Sequence, residues 1–194
     1  MGQANPQTTQ TAQSNETQSG NTTAALQTNF GSVVEASTAF KPFYVMGDFN
    51  GDGAEDMAIV VRIKERRSTL PKDVRILNPF ELDKKITSPG NPATENKLAL
   101  VIIHSWRAPQ PAGKYMLIGE SPILILEYDR AISNQPADRN ELIGLMSRSG
   151  KRRKGETFPR RAKGDVITLP TEIGGDSFLY WNGRTYVWED VAED

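Results

Sequence analysis

The sequence predicts a mainly β fold: a single antiparallel-sheet domain with at most two short helices. Three observations carry this expectation. Apolar residues gather in short runs such as "MAIVVRI" and "LALVII", without the spacing of a long amphipathic helix. Near the end, "FLYWNGRTYVW" sets Asn182-Gly183 between two aromatic-rich runs, a strong hairpin signal. The 12 prolines and 16 glycines fall mostly between these runs, where they act as breaks.

Taken in order, the first segment is "MGQANPQTTQTAQSNETQSGNTTAALQTNF", rich in Gln, Asn, Ser and Thr, with Glu16 as its one charged side chain. It offers little apolar surface to offset the entropy of ordering, so residues 1–30 are expected to form a disordered polar tail. Residues 31–194 then make one β-rich domain of roughly 160 residues, an ordinary domain size. The stretch "VVEASTAFKPFYVM" is expected to hold a short helix before a strand at 43–46, and further strands are expected at 57–63 and, a short one, at 74–77. "LALVII" at 98–103 is apolar without alternation and reads as a central strand buried on both faces. Further strands are expected at 115–118, 123–128 and 166–169, with a short helix over 141–146. The closing hairpin, with Asn182-Gly183 at its tip, places Trp181 opposite Arg184 and Leu179 opposite Tyr186. A cation–π contact between Trp181 and Arg184 is therefore expected. No repeat of propeller length is present.

Composition removes several classes of function. Without cysteine the chain has no disulfide framework, iron–sulfur cluster, thiolate zinc site or cysteine nucleophile. No apolar run reaches the length of a membrane span. His104 is the lone histidine, and its neighbour Ser105 would point to the opposite face of a strand, so no Ser–His pair forms there.

The stretch "GDFNGDGAEDMAIVV" carries the chemistry. Asp48, Asn50 and Asp52 alternate, Gly53 follows, and Asp56 stands before an apolar strand. Alternating oxygen donors on a tightly turning backbone suit a hard cation, with the Ala54 carbonyl as a further ligand. An EF-hand loop would need glutamate at its twelfth position; here that place is Ile59. The other reading is a solvated polar hairpin turn, which leaves the crowding of three carboxylates unexplained.

This stretch resembles the FG-GAP or VCBS-type calcium loop, roughly G-D-x-[DN]-x-D-G-x-x-D followed by apolar residues, in a single copy over 47–57. The resemblance implies Ca²⁺ held by Asp48, Asn50, Asp52, Asp56 and the Ala54 carbonyl. It also implies an exported bacterial protein whose fold is not a full propeller. With the polar tail it suggests an extracytoplasmic location, whether periplasmic, lipid-tethered or secreted, after removal of a signal peptide absent from this numbering. A binding or scaffolding role at the cell envelope is expected, with a calcium-dependent hydrolase of glycans or phosphoesters as the competing expectation.

A third expectation comes from "SRSGKRRKGETFPRRAKG", in which Arg152, Arg153, Arg160 and Arg161 are candidate anion-binding residues for an envelope or extracellular polymer. Phe158 is its only aromatic, which argues against base stacking and so against nucleic acid.

Overall fold

The computed structural model describes residues 20–38, 42–64, 69–78, 98–117, 143–151, 157–170 and 176–190. They form a helix α1 (20–30), a 3₁₀ turn at Gly31–Val33, and ten strands. The strands are β1 (Val34–Ala36), β2 (Tyr44–Gly47), β3 (Asp56–Ile63), β4 (Val74–Leu77), β5 (Leu98–His104), β6 (Gly113–Leu117), β7 (Gly144–Met146), β8 (Val166–Pro170), β9 (Asp176–Trp181) and β10 (Tyr186–Asp190). The fold is mainly β, as expected. Among the described residues there are two open sheets, and neither closes into a barrel or a propeller blade ring.

The first sheet runs β1-β3-β5-β6-β4, with β2 also on β3. β1 pairs with residues 61–63 and β2 with residues 56–59, so the two short strands share one edge of β3 end to end. The second sheet runs β10-β9-β8-β7. Strand alternation then sorts the core. Ala58, Val60, Leu98, Leu100, Ile102, Tyr115 and Leu117 pack with Ile167, Leu169, Leu179 and Tyr186 of the second sheet and with Ile143 just before β7. Met57, Ile59, Val61, Ile63, Ala99, Val101 and Ile103 face the other way. β5 is buried at every residue, which is the two-sided burial its sequence foretold.

The second apolar face of β3 and β5 needs a cover, and α1 supplies it. Leu26 and Phe30 are buried against that face, and Asn29 Nδ2 donates to the Ala25 carbonyl at 2.8 Å. This corrects the tail expected over 1–30: residues 20–30 are helical, and residues 1–19 lie outside the described residues. Two large side chains contribute little alone, but each stabilises by about 1.5–3 kcal/mol when the sheet takes it out of water.

Other differences are local. β4 is parallel to β6, a parallel pair within a mainly antiparallel fold. β6 lies between β4 and its successor β5, so β4 finds its place at the far edge by a long connection rather than a hairpin. Residues 144–146 are strand β7, where a helix was expected; the short "GLM" segment is captured by pairing with β8. The expected strand at 123–128 lies outside the described residues.

The last hairpin turns one residue later than its Asn-Gly pair suggested. Trp181 pairs with Tyr186 and Leu179 with Trp188. Asn182 Oδ1 accepts from the N–H groups of Arg184 and Thr185, and Gly183 has φ 101°. The asparagine side chain thus builds the turn, leaving Gly183 and Arg184 at the tip. The pairing moves by two residues, an even shift, so every side chain keeps its face. Arg184 does not stack on Trp181; among the described residues the Arg–aromatic contacts are Arg75 over Tyr115 and Arg107 over Trp106.

Candidate functional site

The acidic stretch is the loop of the β2–β3 hairpin, opened by the Gly47–Asp56 pair. Gly51 and Gly53 have φ 77° and 85°, a region costly for residues with a Cβ. These bends turn successive N–H groups inward. Asp48 Oδ1 accepts from Gly51 N at 2.8 Å and Asp52 N at 3.0 Å, and Asp48 Oδ2 accepts from Gly53 N at 3.0 Å. Asn50 Oδ1 accepts from Asp52 N, and Asp52 Oδ1 accepts from Ala54 N. Asn50 Nδ2 donates to Asp52 Oδ2 at 2.8 Å. The turn is therefore a concave nest of N–H groups lined by acidic and amide oxygens.

Asp56 plays a different part. It is fully buried; Oδ2 accepts from Phe49 N and Asn50 N, and Oδ1 accepts from Ser105 N at 2.8 Å. Burial nevertheless pushes its pKa up to about 6, against those three hydrogen bonds, and the Asp52 charge adds to the rise. Ser105 reaches it with φ 52°, an uncommon pose for a residue other than glycine. Beside it, Trp106 Nε1 and Arg107 Nε both donate to Glu55 Oε2 at 3.0 Å.

A second clamp comes from the other sheet. Asp165 N donates to the Asp48 carbonyl at 2.7 Å, and Asp48 N returns a bond to Asp165 Oδ2 at 3.0 Å. Asp165 Oδ1 accepts from Ser147 Oγ and Arg148 N. Arg148 Nη1 donates to the Ala162 and Lys163 carbonyls. Gly164 is packed so tightly that a Cβ would meet the Asp48 carbonyl oxygen and lie 2.6 Å from Phe49 C. The β2–β3 turn is thus held between the Ser105 turn and the 163–165 turn, and bridges the two sheets.

The donors fit a hard cation in kind, being carboxylate, amide and carbonyl oxygens. In position they are hydrogen-bonded to one another and to the backbone. Among the described residues no three His, Cys, Asp or Glu side chains converge on a metal-sized centre. A cation here would need Asn50 Nδ2 to release Asp52, and would draw on the lone pairs the N–H groups leave free.

Beneath the turn lies His104, buried in a ring cluster with Tyr115, Trp181 and Tyr186. His104 Nε2 and the Tyr186 hydroxyl share a 2.6 Å hydrogen bond. Burial lowers the histidine pKa to about 4, although Asp52 and Asp48 pull it upward. The imidazole is neutral and fixed.

Arg160 and Arg161 are exposed, whereas Arg152 and Arg153 lie outside the described residues. With Lys163, Asn182, Gly183 and Arg184 they line an open groove of about 610 Å³. Lys163 N donates to the Trp181 carbonyl, which brings the two segments together. The roles of Asp165, Gly164, Ser105 and Arg184 were not foreseen. Nothing in "KGDV" or "HSW" marks them, because their partners are distant backbone groups.

No family model matches this chain, and no curated protein or solved structure matches it. Among the described residues no helix is long and apolar enough to cross a membrane.

Proposed function

We propose that the β2–β3 turn is a structural Ca²⁺ site in an exported binding or scaffolding module of the cell envelope. The observation that carries this is the oxygen-lined turn of Asp48, Asn50 and Asp52, pinned to both sheets. Asp48, Asn50, Asp52, Asp56 and the Ala54 carbonyl would hold the ion. The ion would supply positive charge to a turn whose carboxylates otherwise repel one another, and offset the cost of the buried Asp56 charge. Because the same turn receives Asp165 and contacts Ser105, holding it fixed would hold the two sheets in register.

A site of this kind suits millimolar extracellular calcium, with Kd of roughly 10⁻⁴ to 10⁻³ M. At tenfold excess over Kd, binding stabilises by about 1.4 kcal/mol. Calorimetric titration of EDTA-treated protein, with melting curves, tests the proposal beside Asp52→Ala. One calcium per chain and a raised Tm, both lost in the variant, are expected. No heat and no shift at several times the upper Kd would refute it and leave a hydrogen-bonded hairpin turn.

A further inference from the structure

We propose that the groove between the 160–163 segment and the β9–β10 turn binds an acidic polysaccharide through its sulfate or carboxylate groups. The proposal is independent of the calcium site. Four cations line this groove: Arg160, Arg161 and Lys163 from one segment and Arg184 from the other, with Asn182 as a neutral hydrogen-bonding neighbour. Among the described residues no acidic side chain lines it. The ion pairs of the described residues lie elsewhere, at Glu35–Lys64, Glu55–Arg107 and Asp73–Lys114. Glu189 acts on the same Tyr180 hydroxyl as Arg161, so one carboxylate stands near the cluster. It offsets the mutual repulsion of four cations only in part, and an anionic ligand relieves the remainder.

The fold also invests in the placement. The carbonyls of Ala162 and Lys163 are held by Arg148 Nη1, and Lys163 N is held by the Trp181 carbonyl. The backbone at 162–163 is therefore held from two sides, by Arg148 and by the end of β9. Arginine's planar fork matches the oxygens of a carboxylate or sulfate two at a time, and three of the four cations are arginines.

The groove volume of about 610 Å³ falls within the range of ligand clefts, roughly 300–1,000 Å³, and the groove is open to solvent, as a site for part of a longer polymer must be. Among the described residues the lining has no aromatic ring. A single-stranded nucleic acid would forgo the roughly 1–3 kcal/mol per base that stacking contributes, so charge recognition of a sugar polymer is favoured.

The test is a calorimetric titration with heparin octasaccharide at roughly 50 and 200 mM salt, the range over which such contacts weaken steeply. The variants are Arg160→Ala/Arg184→Ala and, as a control, Lys72→Ala on the turn before β4; all three side chains are exposed, and thermal melts check folding. Wild type and Lys72→Ala should bind alike and lose affinity with salt. The double variant should bind at least about tenfold more weakly, with a shallower salt dependence by about one unit per lost contact. Equal binding by the double variant, equal loss in Lys72→Ala, or no binding at low salt would overturn the proposal. A single-stranded DNA of matched charge binding as tightly as the oligosaccharide would overturn the polysaccharide assignment.

Discussion

Gly164→Ala is expected to separate the second sheet from the acidic turn. Gly164 does not have a positive φ, so the substitution carries no left-handed strain; the cost comes from contact alone. The added methyl would meet the Asp48 carbonyl oxygen and stand 2.6 Å from Phe49 C and 2.7 Å from Gly51 N. All of these are backbone atoms, so no side chain can rotate aside. The turn must withdraw, stretching the bond from Asp165 N to the Asp48 carbonyl and the one from Asp48 N to Asp165 Oδ2. Overpacking costs about 1–3 kcal/mol, the neutral hydrogen bond about 1, and the bond to the carboxylate about 1.5–3. The sum is roughly 3.5–7 kcal/mol, a large part of a domain's usual 5–15 or so.

Gly53→Ala is the matched control. It has φ 85° but nothing within 4 Å of its Cβ position, so its cost is the left-handed strain of about 1–2 kcal/mol. Urea unfolding of both variants, with m-values checked for equality, reads the difference. A Gly53→Ala loss equal to or above that of Gly164→Ala would refute the claim that close docking on residues 163–165 holds the turn.

Three further outcomes follow from the same contacts. His104 has a folded pKa depressed by burial from 6.5 to about 4, so its contribution is present above pH 6.5 and lost as pH falls toward 4. Asp56, raised to about 6, has the opposite sign: it gains stability on acidification below that pH. Comparing wild type with His104→Gln cancels the Asp56 part, and the stability difference should move against wild type by about 3 kcal/mol between pH 7 and 4; a pH-independent difference in urea midpoints would contradict a buried neutral imidazole. Asp165→Asn replaces an acceptor pair that takes bonds from Asp48 N, Ser147 Oγ and Arg148 N with one that has a single acceptor oxygen. It should lower stability by about 1.5–3 kcal/mol, and an unchanged urea midpoint would remove Asp165 from the clamp. Tyr180→Phe deletes the hydroxyl that donates to Glu189 Oε2 at 2.8 Å and whose pKa burial and Glu189 raise to about 12. A loss of about 1 kcal/mol is expected in thermal or urea unfolding, with none if that bond contributes nothing.

Much of the fold was legible because strand signals are local. Met57 to Val61 and Leu98 to Ile103 announce strands, since each is apolar at successive positions, and the second reads as buried on both faces. The glycines of the acidic turn likewise announce its positive-φ bends. α1 was illegible because its two large buried residues, Leu26 and Phe30, are sparse among polar neighbours and gain stability only from a sheet assembled elsewhere in the chain. The hairpin tip was displaced because the Asn182 side chain, not its backbone alone, organises the turn.

By itself, the sequence determined a β-rich chain with oxygen donors at alternate positions of one hairpin loop, because both follow from side-chain periodicity and turn chemistry within a few residues. Tertiary structure alone decided that Asp56 is held by Phe49, Asn50 and Ser105, that Asp165 and Gly164 lock the turn to the second sheet, and that Arg184 joins Arg160 and Arg161 in one groove. These arrangements pair backbone N–H groups and charges remote in sequence. Such groups carry no pattern of their own until packing of the two sheets brings their partners within a few ångströms.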